Sequence, residues 1–318
     1  MGERAEQENS DDLAARAGWL YYNGRLTQDQ IAAELGVSRQ RAQRLVARAV
    51  SDGLISVRIE HPVAACMELQ AALMRVFGLS FARVAPSLPE GLDPVRAIAP
   101  LAAAELERVF ATPDPLTVAF GTGRTLRAVV DAMNPQDGAR HKVVSLIGNV
   151  APDGSASFFE VIMRLADKLR ALHYPMAVPV LAKDEEDRDH YQALPHVRNT
   201  RELAFGADYT VVGIGQVGDD APLRVDGFVS PDDMETLRAG GAVGEIAGWA
   251  FDVDGRYLDQ GINRVVNGVR VPQNDHPVLC IGAGPVKQVP LLAALRGKLL
   301  TGLITDERTA EFLLNSAQ

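Results

Sequence analysis

The sequence predicts an α/β protein in which a small N-terminal helix-turn-helix domain, winged-helix-like, precedes a larger domain built on a Rossmann-like parallel sheet. Three observations predict it. Residues 27–49 read as two short helices joined at Gly36, with arginines on the second. Beyond residue 80, short apolar runs alternate with helical stretches, and four of the runs are followed at once by glycine. A length of 318 residues with 47% hydrophobic content is enough for one small core and one large one.

In chain order, residues 2–12 are polar with mixed charge and predict a disordered tail. Residues 13–22 predict a supporting helix, with Leu13, Ala17 and Leu20 facing inward. Thr27 and Gln30 form a capping-box pattern that starts a helix at Gln28. Ile31 and Leu35 share its apolar face, and Ala32 allows a second helix to approach closely. Gly36 ends that helix in the left-handed conformation, Val37 fills the space between the pair, and Ser38 caps the next helix, expected from Arg39 to about residue 49. Ala42, Leu45, Val46 and Ala49 recur at helical spacing and face inward. Gln40, Arg41, Gln43, Arg44 and Arg48 face outward.

An Arg/Gln face suits DNA, because arginine bonds guanine bidentately, glutamine bonds adenine, and further arginines hold phosphates. With the residues at the two helix starts, the candidate DNA-contacting set is Thr27, Gln28, Ser38, Arg39, Gln40, Arg41, Gln43, Arg44 and Arg48. The competing reading is a solvated basic helix in an ordinary helical domain. Caps, glycine turn, small residue and basic face agreeing in one register favour DNA. Gly53 closes another helix, and residues 54–59 alternate as a short strand, a small wing.

The formal net charge of −9 hides a local excess: Arg39, Arg41, Arg44 and Arg48 lie between residues 38 and 49 with no acid among them. A basic helix on an acidic body suits site-specific binding better than sequence-blind coating of nucleic acid. Cys66 and Cys280 are the only cysteines, which excludes a disulfide framework and points to the reducing cytoplasm. No apolar run approaches membrane-spanning length and the N-terminal stretch is not signal-like, so no membrane partner is expected. None of the six histidines pairs with another His or Cys at metal-ligand spacing, and no GxSxG elbow is present. No metal, cofactor or catalytic residue is assigned.

His61-Pro62 marks the expected domain boundary, giving a DNA-binding domain over 1–60, a connecting or protomer-pairing helix within 61–80, and an effector domain over 81–318. Strand-like runs at 116–120, 142–147, 209–214 and 277–281 are followed by Gly121, Gly148, Gly215 and Gly282. Parallel sheets bind ligands beyond the carboxyl ends of their strands, where these turns would lie.

Two junctions carry more. Gly121, Thr122, Gly123, Arg124 and Thr125 lead into a helix over 126–133, offering amides and hydroxyls to an anion, in a pattern that is neither a P-loop nor the dinucleotide fingerprint. Gly282 to Pro285 leads into a helix with Lys287 in its first turn. A cation in a first turn opposes the helix dipole, so either an anionic ligand offsets Arg124 and Lys287 or both extend into water. Between the junctions, Glu245 is a ligand candidate, Asp252 and Asp254 fit a hairpin turn better than a ligand site, and Trp249 either stacks on a sugar or sits in the core. Asn149, Asp153 and Ser157 follow a strand and can line the same pocket. Residues 183–190 (KDEEDRDH) read as a solvated loop.

The order of these features, helix-turn-helix, GTGRT, SLIGN, GEIAGWAFD and finally GAGPVKQVPLLAALRGKLLTGLITDE, resembles the SorC/DeoR-type sugar-responsive bacterial transcriptional regulators over nearly the whole chain. The stretch LAARAGWLYYNGRLTQDQIA is most similar to members that control polyol catabolism. The resemblance implies an effector domain of the sugar-phosphate isomerase/deaminase type without its catalysis, assembly into homodimers or homotetramers, and two ligands: operator DNA and a sugar, polyol or sugar phosphate. It places Gly121 to Thr125 around a phosphate or equivalent polar end, with Glu245 and Lys287 at its other polar groups. The chain departs from the pattern at Ala283, where a second turn glycine is common, and at Phe158, Phe159 and Glu160, where an Asn-containing segment is frequent, so the effector and its phosphorylation stay open. The alternative is a sugar-phosphate isomerase or deaminase with an accessory N-terminal domain. It needs a general acid and base that the sequence does not assemble.

Overall fold

The computed structural model describes residues 2–55, 64–150, 161–272 and 275–317, with the side chains of residues 2–9 and 64 excepted. The chain divides into two compact units, Met1–His61 and Pro62–Gln318.

The first unit contains α1 (Gly2–Tyr22), α2 (Gln28–Glu34) and α3 (Arg39–Ser51). The Thr27 side chain accepts the Gln30 N–H, and the Thr27 N–H donates to Gln30 Oε1 at 2.9 Å, which closes the capping box at the start of α2. Gly36 follows α2 at φ +64°, a conformation that costs glycine nothing. Ser38 then caps α3 by accepting the Arg41 N–H. The core holds Ala14 and Ala17 of α1, Ile31 of α2, and Ala42, Leu45, Val46 and Ala49 of α3. A side chain at Gly18 would meet the Ala49 Cβ at 2.9 Å, so α1 and α3 approach almost backbone to backbone.

Residues 2–12, expected as a tail, belong to α1. Ala, Glu, Gln and Arg are strong helix formers, and an Asp12–Arg16 ion pair at 3.0 Å spans one turn of the helix. Most of the wing segment and the His61-Pro62 boundary lie outside the described residues.

In the second unit the described residues form a parallel seven-stranded sheet in the order β1-β10-β9-β5-β2-β3-β4. Along the chain run α4 (Ala64–Phe77), β1 (Phe81–Ala85), α5 (Val95–Phe110), β2 (Thr117–Phe120), α6 (Arg124–Ala132), β3 (Lys142–Val150), α7 (Ile162–Leu169), β4 (Leu172–Pro179), α8 (Glu185–Ala193), α9 (Pro195–Phe205) and β5 (Tyr209–Val212). Then come β6 (Gly215–Gln216), α10 (Pro222–Val225), α11 (Pro231–Ala239), β7 (Gly244–Ile246), β8 (Trp249–Phe251), β9 (Val278–Ile281), α12 (Pro285–Arg296), β10 (Gly302–Asp306) and α13 (Glu307–Asn315). The strands β6, β7 and β8 make a small antiparallel sheet.

The apolar runs read as continuous because the sheet is buried on both faces. Successive residues split between two cores: Val118, Phe120, Leu279 and Ile281 join one with α5, α6 and α7, while Ala119, Val278 and Cys280 join the other with α4, α9, α12 and α13. Each fully buried Leu, Ile, Val or Phe contributes roughly 1.5–3 kcal/mol.

Three sequence expectations change. Gly148 does not end a strand but lies within β3, where a Cβ would sit 2.5 Å from the Val178 and Pro179 carbonyl oxygens of β4. The strand before Gly215 ends at Val212. Residues 183–190 are not a loop: Asp184 accepts the Asp187 N–H and opens α8, whose first turn carries Glu185, Glu186 and Asp187 at the favourable end of the helix dipole. No residue of α8 is buried, so it is solvated as expected.

Buried His141 accepts the Leu116 N–H on Nδ1 at 3.0 Å and lies 3.0 Å through Nε2 from the Phe110 carbonyl, which fixes the neutral tautomer with the proton on Nε2. Burial holds its pKa below the ordinary 6.5. A depressed folded pKa contributes stability that is complete above the unfolded value and lost as pH falls through the folded one. Melting temperature should therefore drop as pH falls below about 6.5. His141→Asn should flatten that slope; parallel profiles for variant and parent would remove His141 as its origin.

Candidate functional site

The first unit presents one polar face. Arg39, Gln40, Arg41, Gln43 and Arg44 of α3 are exposed, opposite Ala42, Leu45, Val46 and Ala49. Arg39 lies 3.5 Å from Asp29 of α2. The hydroxyls of Thr27 and Ser38 serve as caps at the two helix starts, and Gln28 opens α2 half-buried.

Arg48 departs from the sequence expectation: it faces α1 instead of pointing outward. Its guanidinium bonds Asp52 at 2.8 Å, Asp11 at 2.5 Å and Ser10 Oγ at 2.5 Å, tying α3 to α1. The Arg48 hydrogen bond holds the Asp52 carboxyl below its ordinary pKa. Helical spacing alone puts Arg48 near the polar face, and only the position of α1 turns it inward. Arg48→Ala should lower the melting temperature of the helical unit, whereas Arg41→Ala should leave it unchanged; circular dichroism melts distinguish the two, and equal melts would return Arg48 to the outer face.

In the second unit the carboxyl ends of β2 and β3 frame a small recess whose lining includes Gly121, Thr122, Ser145 and Asn149. Asn149 Oδ1 is buried in it with no hydrogen-bond partner among the described residues. Gly123 at φ +117° and Gly284 at φ +101° begin α6 and α12, and neither cap supplies a side-chain acceptor. Arg124 and Lys287 thus stand in the first turns of two helices, and Thr125 is half-buried beside Arg124. Asp153 and Ser157 lie outside the described residues.

Lys287 is half-buried, and its pKa is pushed below the ordinary lysine value by burial, with Glu245 acting against the shift and Arg124 adding to it. Glu245 stands on β7 opposite Gly215 of β6. Burial raises its pKa, while the Gly248 N–H, donating to Oε2 at 2.8 Å, and nearby Lys287 oppose the rise. A Cβ at residue 215 would lie 1.7 Å from Glu245 Oε1, so glycine there makes the room that the carboxylate occupies. The fold thus brings Gly121, Thr122 and Asn149 to one recess, and Arg124, Glu245 and Lys287 within electrostatic reach of one another.

Trp249 resolves to the core. It is 7% exposed, with the Arg270 guanidinium 4.3 Å from its ring centroid and Tyr257 edge-on at 6.4 Å. Asp252 forms the expected turn, its Oδ1 accepting the Asp254 and Arg256 N–H groups. The sequence reading missed Asp226, whose carboxylate is 2.7 Å from Arg124 Nη2. The one signal was the carboxylate-rich stretch GDDAPLRVD, which has no apolar periodicity.

A capped helix pair bearing an Arg/Gln face thus precedes an α/β unit with a polar recess at its strand ends. A family model described as "Putative sugar-binding domain" matches residues 61–315. The chain belongs to this sugar-binding family. A MarR family model matches residues 17–63, which include α2 and α3. The erythritol catabolism regulatory protein EryD of Brucella abortus is 32% identical over 305 residues, covering 96% of this chain and 96% of that protein. The transcriptional regulator LsrR of Klebsiella pneumoniae is 29% identical, covering 96% of this chain and 93% of the relative. The crystal structure of the full-length sorbitol operon regulator SorC from Klebsiella pneumoniae superposes with a TM-score of 0.74 at 26% identity, covering 95% of this chain and 98% of that one. The sugar-binding family member described here is accordingly a helix-turn-helix transcriptional regulator, not an enzyme. Among its described residues no helix is long and apolar enough to cross a membrane.

Proposed function

We propose that the chain is a cytoplasmic repressor of a sugar or polyol catabolic operon, and that a sugar, polyol or sugar phosphate releases it from its operator. The observation that carries this reading is the pairing, in one chain, of an exposed Arg/Gln face on α3 with a recess where Asn149 Oδ1 stands unpartnered among the described residues, in a unit whose Glu245 and Lys287 lie within electrostatic reach of each other. The Brucella relative, a regulator of erythritol catabolism by name, supports the polyol class.

Operator contacts come from Thr27, Gln28, Ser38, Arg39, Gln40, Arg41, Gln43 and Arg44, with Arg48 bracing α3. Effector contacts come from Gly121 to Thr125, Asn149, Glu245 and Lys287. Residues 1–60 read DNA, 81–318 bind effector, and 61–80 connect them and pair protomers in a homodimer or homotetramer. Exposed Met67 and Val76 on α4 support the pairing role. An effector that weakens operator binding by some factor is itself bound more weakly by the operator complex by the same factor.

Fluorescence anisotropy on DNA from upstream of the chain's own operon, titrated with sugars, polyols and their phosphates, tests the whole reading. Tight, salt-sensitive binding released by one compound is expected. Absence of specific DNA binding would sink it.

A further inference from the structure

We infer that the effector is an uncharged polyhydroxyl compound, and that Asp226 sets this preference by holding Arg124 where a phosphate would otherwise sit. The inference rests on the effector reading above and narrows its ligand class.

Arg124, in the first turn of α6, is a natural counter-ion for a phosphate, and it already faces a carboxylate of the same chain. Arg124 Nη2 is 2.7 Å from Asp226 Oδ1, and the Asp226 side chain is only 19% exposed. Glu245 and Asp220 place negative charge within electrostatic reach of Lys287. The Asp226 carboxylate does not reach Arg124 by chance motion of a long side chain. Asp226 directly follows α10, which the Ala221 and Pro222 carbonyls hold by accepting the Val225 and Asp226 N–H groups. The segment ahead of it is anchored by Gln216 Nε2 donating to Asp220 at 2.8 Å and by Arg238 on Asp219 at 2.9 Å.

Charge matching is one half; hydrogen-bond complementarity is the other. Two acceptors here are open to a donor: Asn149 Oδ1, buried and unpartnered among the described residues, and the Glu245 carboxylate, whose Oε2 accepts the Gly248 N–H. An acceptor needs a donor, which each hydroxyl of a polyol supplies and a phosphate dianion does not. A phosphate entering here would have to displace Asp226 from Arg124 and leave that carboxylate beside a like charge, the kind of repulsive element by which sites reject near-isosteres.

Isothermal titration calorimetry of the full chain tests this with matched pairs: erythritol and its 4-phosphate, ribitol and its 5-phosphate, sorbitol and its 6-phosphate. One free polyol should bind, with its phosphate ester about tenfold or more weaker, as a like charge at contact distance with partial solvent screening implies. Asp226→Asn should erase or invert that ratio, and Asp226→Glu should keep it, both with the parent's melting temperature. A phosphate ester that binds the parent more tightly than its polyol, or a ratio unmoved by Asp226→Asn, overturns the inference while leaving the effector reading intact. Failure of every pair to bind parent and variant alike overturns the effector reading itself, and the inference with it.

Discussion

Arg44→Ala should weaken operator binding roughly 5- to 150-fold at each half-site, about 1–3 kcal/mol, the range for loss of a bidentate arginine-to-base contact. Arg44 is exposed at the middle of α3, where a recognition helix meets base edges, and its neighbours Ala42, Leu45 and Val46 bury the opposite face. Nothing in the core changes with the substitution, so the melting temperature and effector affinity should stay at parent values. Arg44→Lys should recover phosphate attraction but not base discrimination, because an ammonium is a point charge without a fork. Anisotropy titrations on cognate and scrambled DNA separate these outcomes. If Arg44→Ala bound both DNAs as the parent does, the reading face would lie elsewhere.

Lys287→Ala should do the reverse, reducing effector affinity by roughly 10- to 150-fold, the cost of a charge-assisted hydrogen bond, with operator affinity unchanged. The change also strands Glu245. Its folded pKa is already raised by burial, and removing Lys287 takes away one of the two influences that oppose the rise. An acid whose folded pKa is raised contributes stability below its unfolded value, 4.5 for glutamate, and loses it as pH climbs through the folded value. The melting-temperature deficit of Lys287→Ala should therefore be larger at pH about 7.5 than at about 5. Gly215→Ala provides an independent lesion, since its Cβ would overlap Glu245 Oε1 and push the carboxylate out of place. A parent-like effector dissociation constant in both variants would remove the Glu245–Lys287 pair from the site.

Local chemistry made much of this legible beforehand. The Thr27–Gln30 box, Gly36 and Ser38 each act on backbone no more than about four residues away, so α2 and α3 were readable to within two residues. The glycine junctions at Gly123 and Gly284 and the helices behind them were equally local. Longer-range features were not. β1, β4 and β10 were not singled out, and a stretch rich in acids was read as a loop although Asp184 capped it as α8. Gly148 looked like a strand end because a close backbone approach to β4 leaves no mark of its own in the sequence.

By itself the sequence determined α2 and α3, the glycine turns that close β2 and β9, and which residue types stand at the two cationic first turns. Capping, glycine conformation and apolar period act within a few bonds or one helical turn, and so are written in adjacent letters. Only the tertiary structure decided which charges meet. Arg48 turns inward onto Asp11, Arg124 finds Asp226 across 102 residues, Glu245 fills the space left at Gly215, and Trp249 disappears under Arg270. Electrostatic energy depends on distance and burial in space, and neither is a function of separation along the chain.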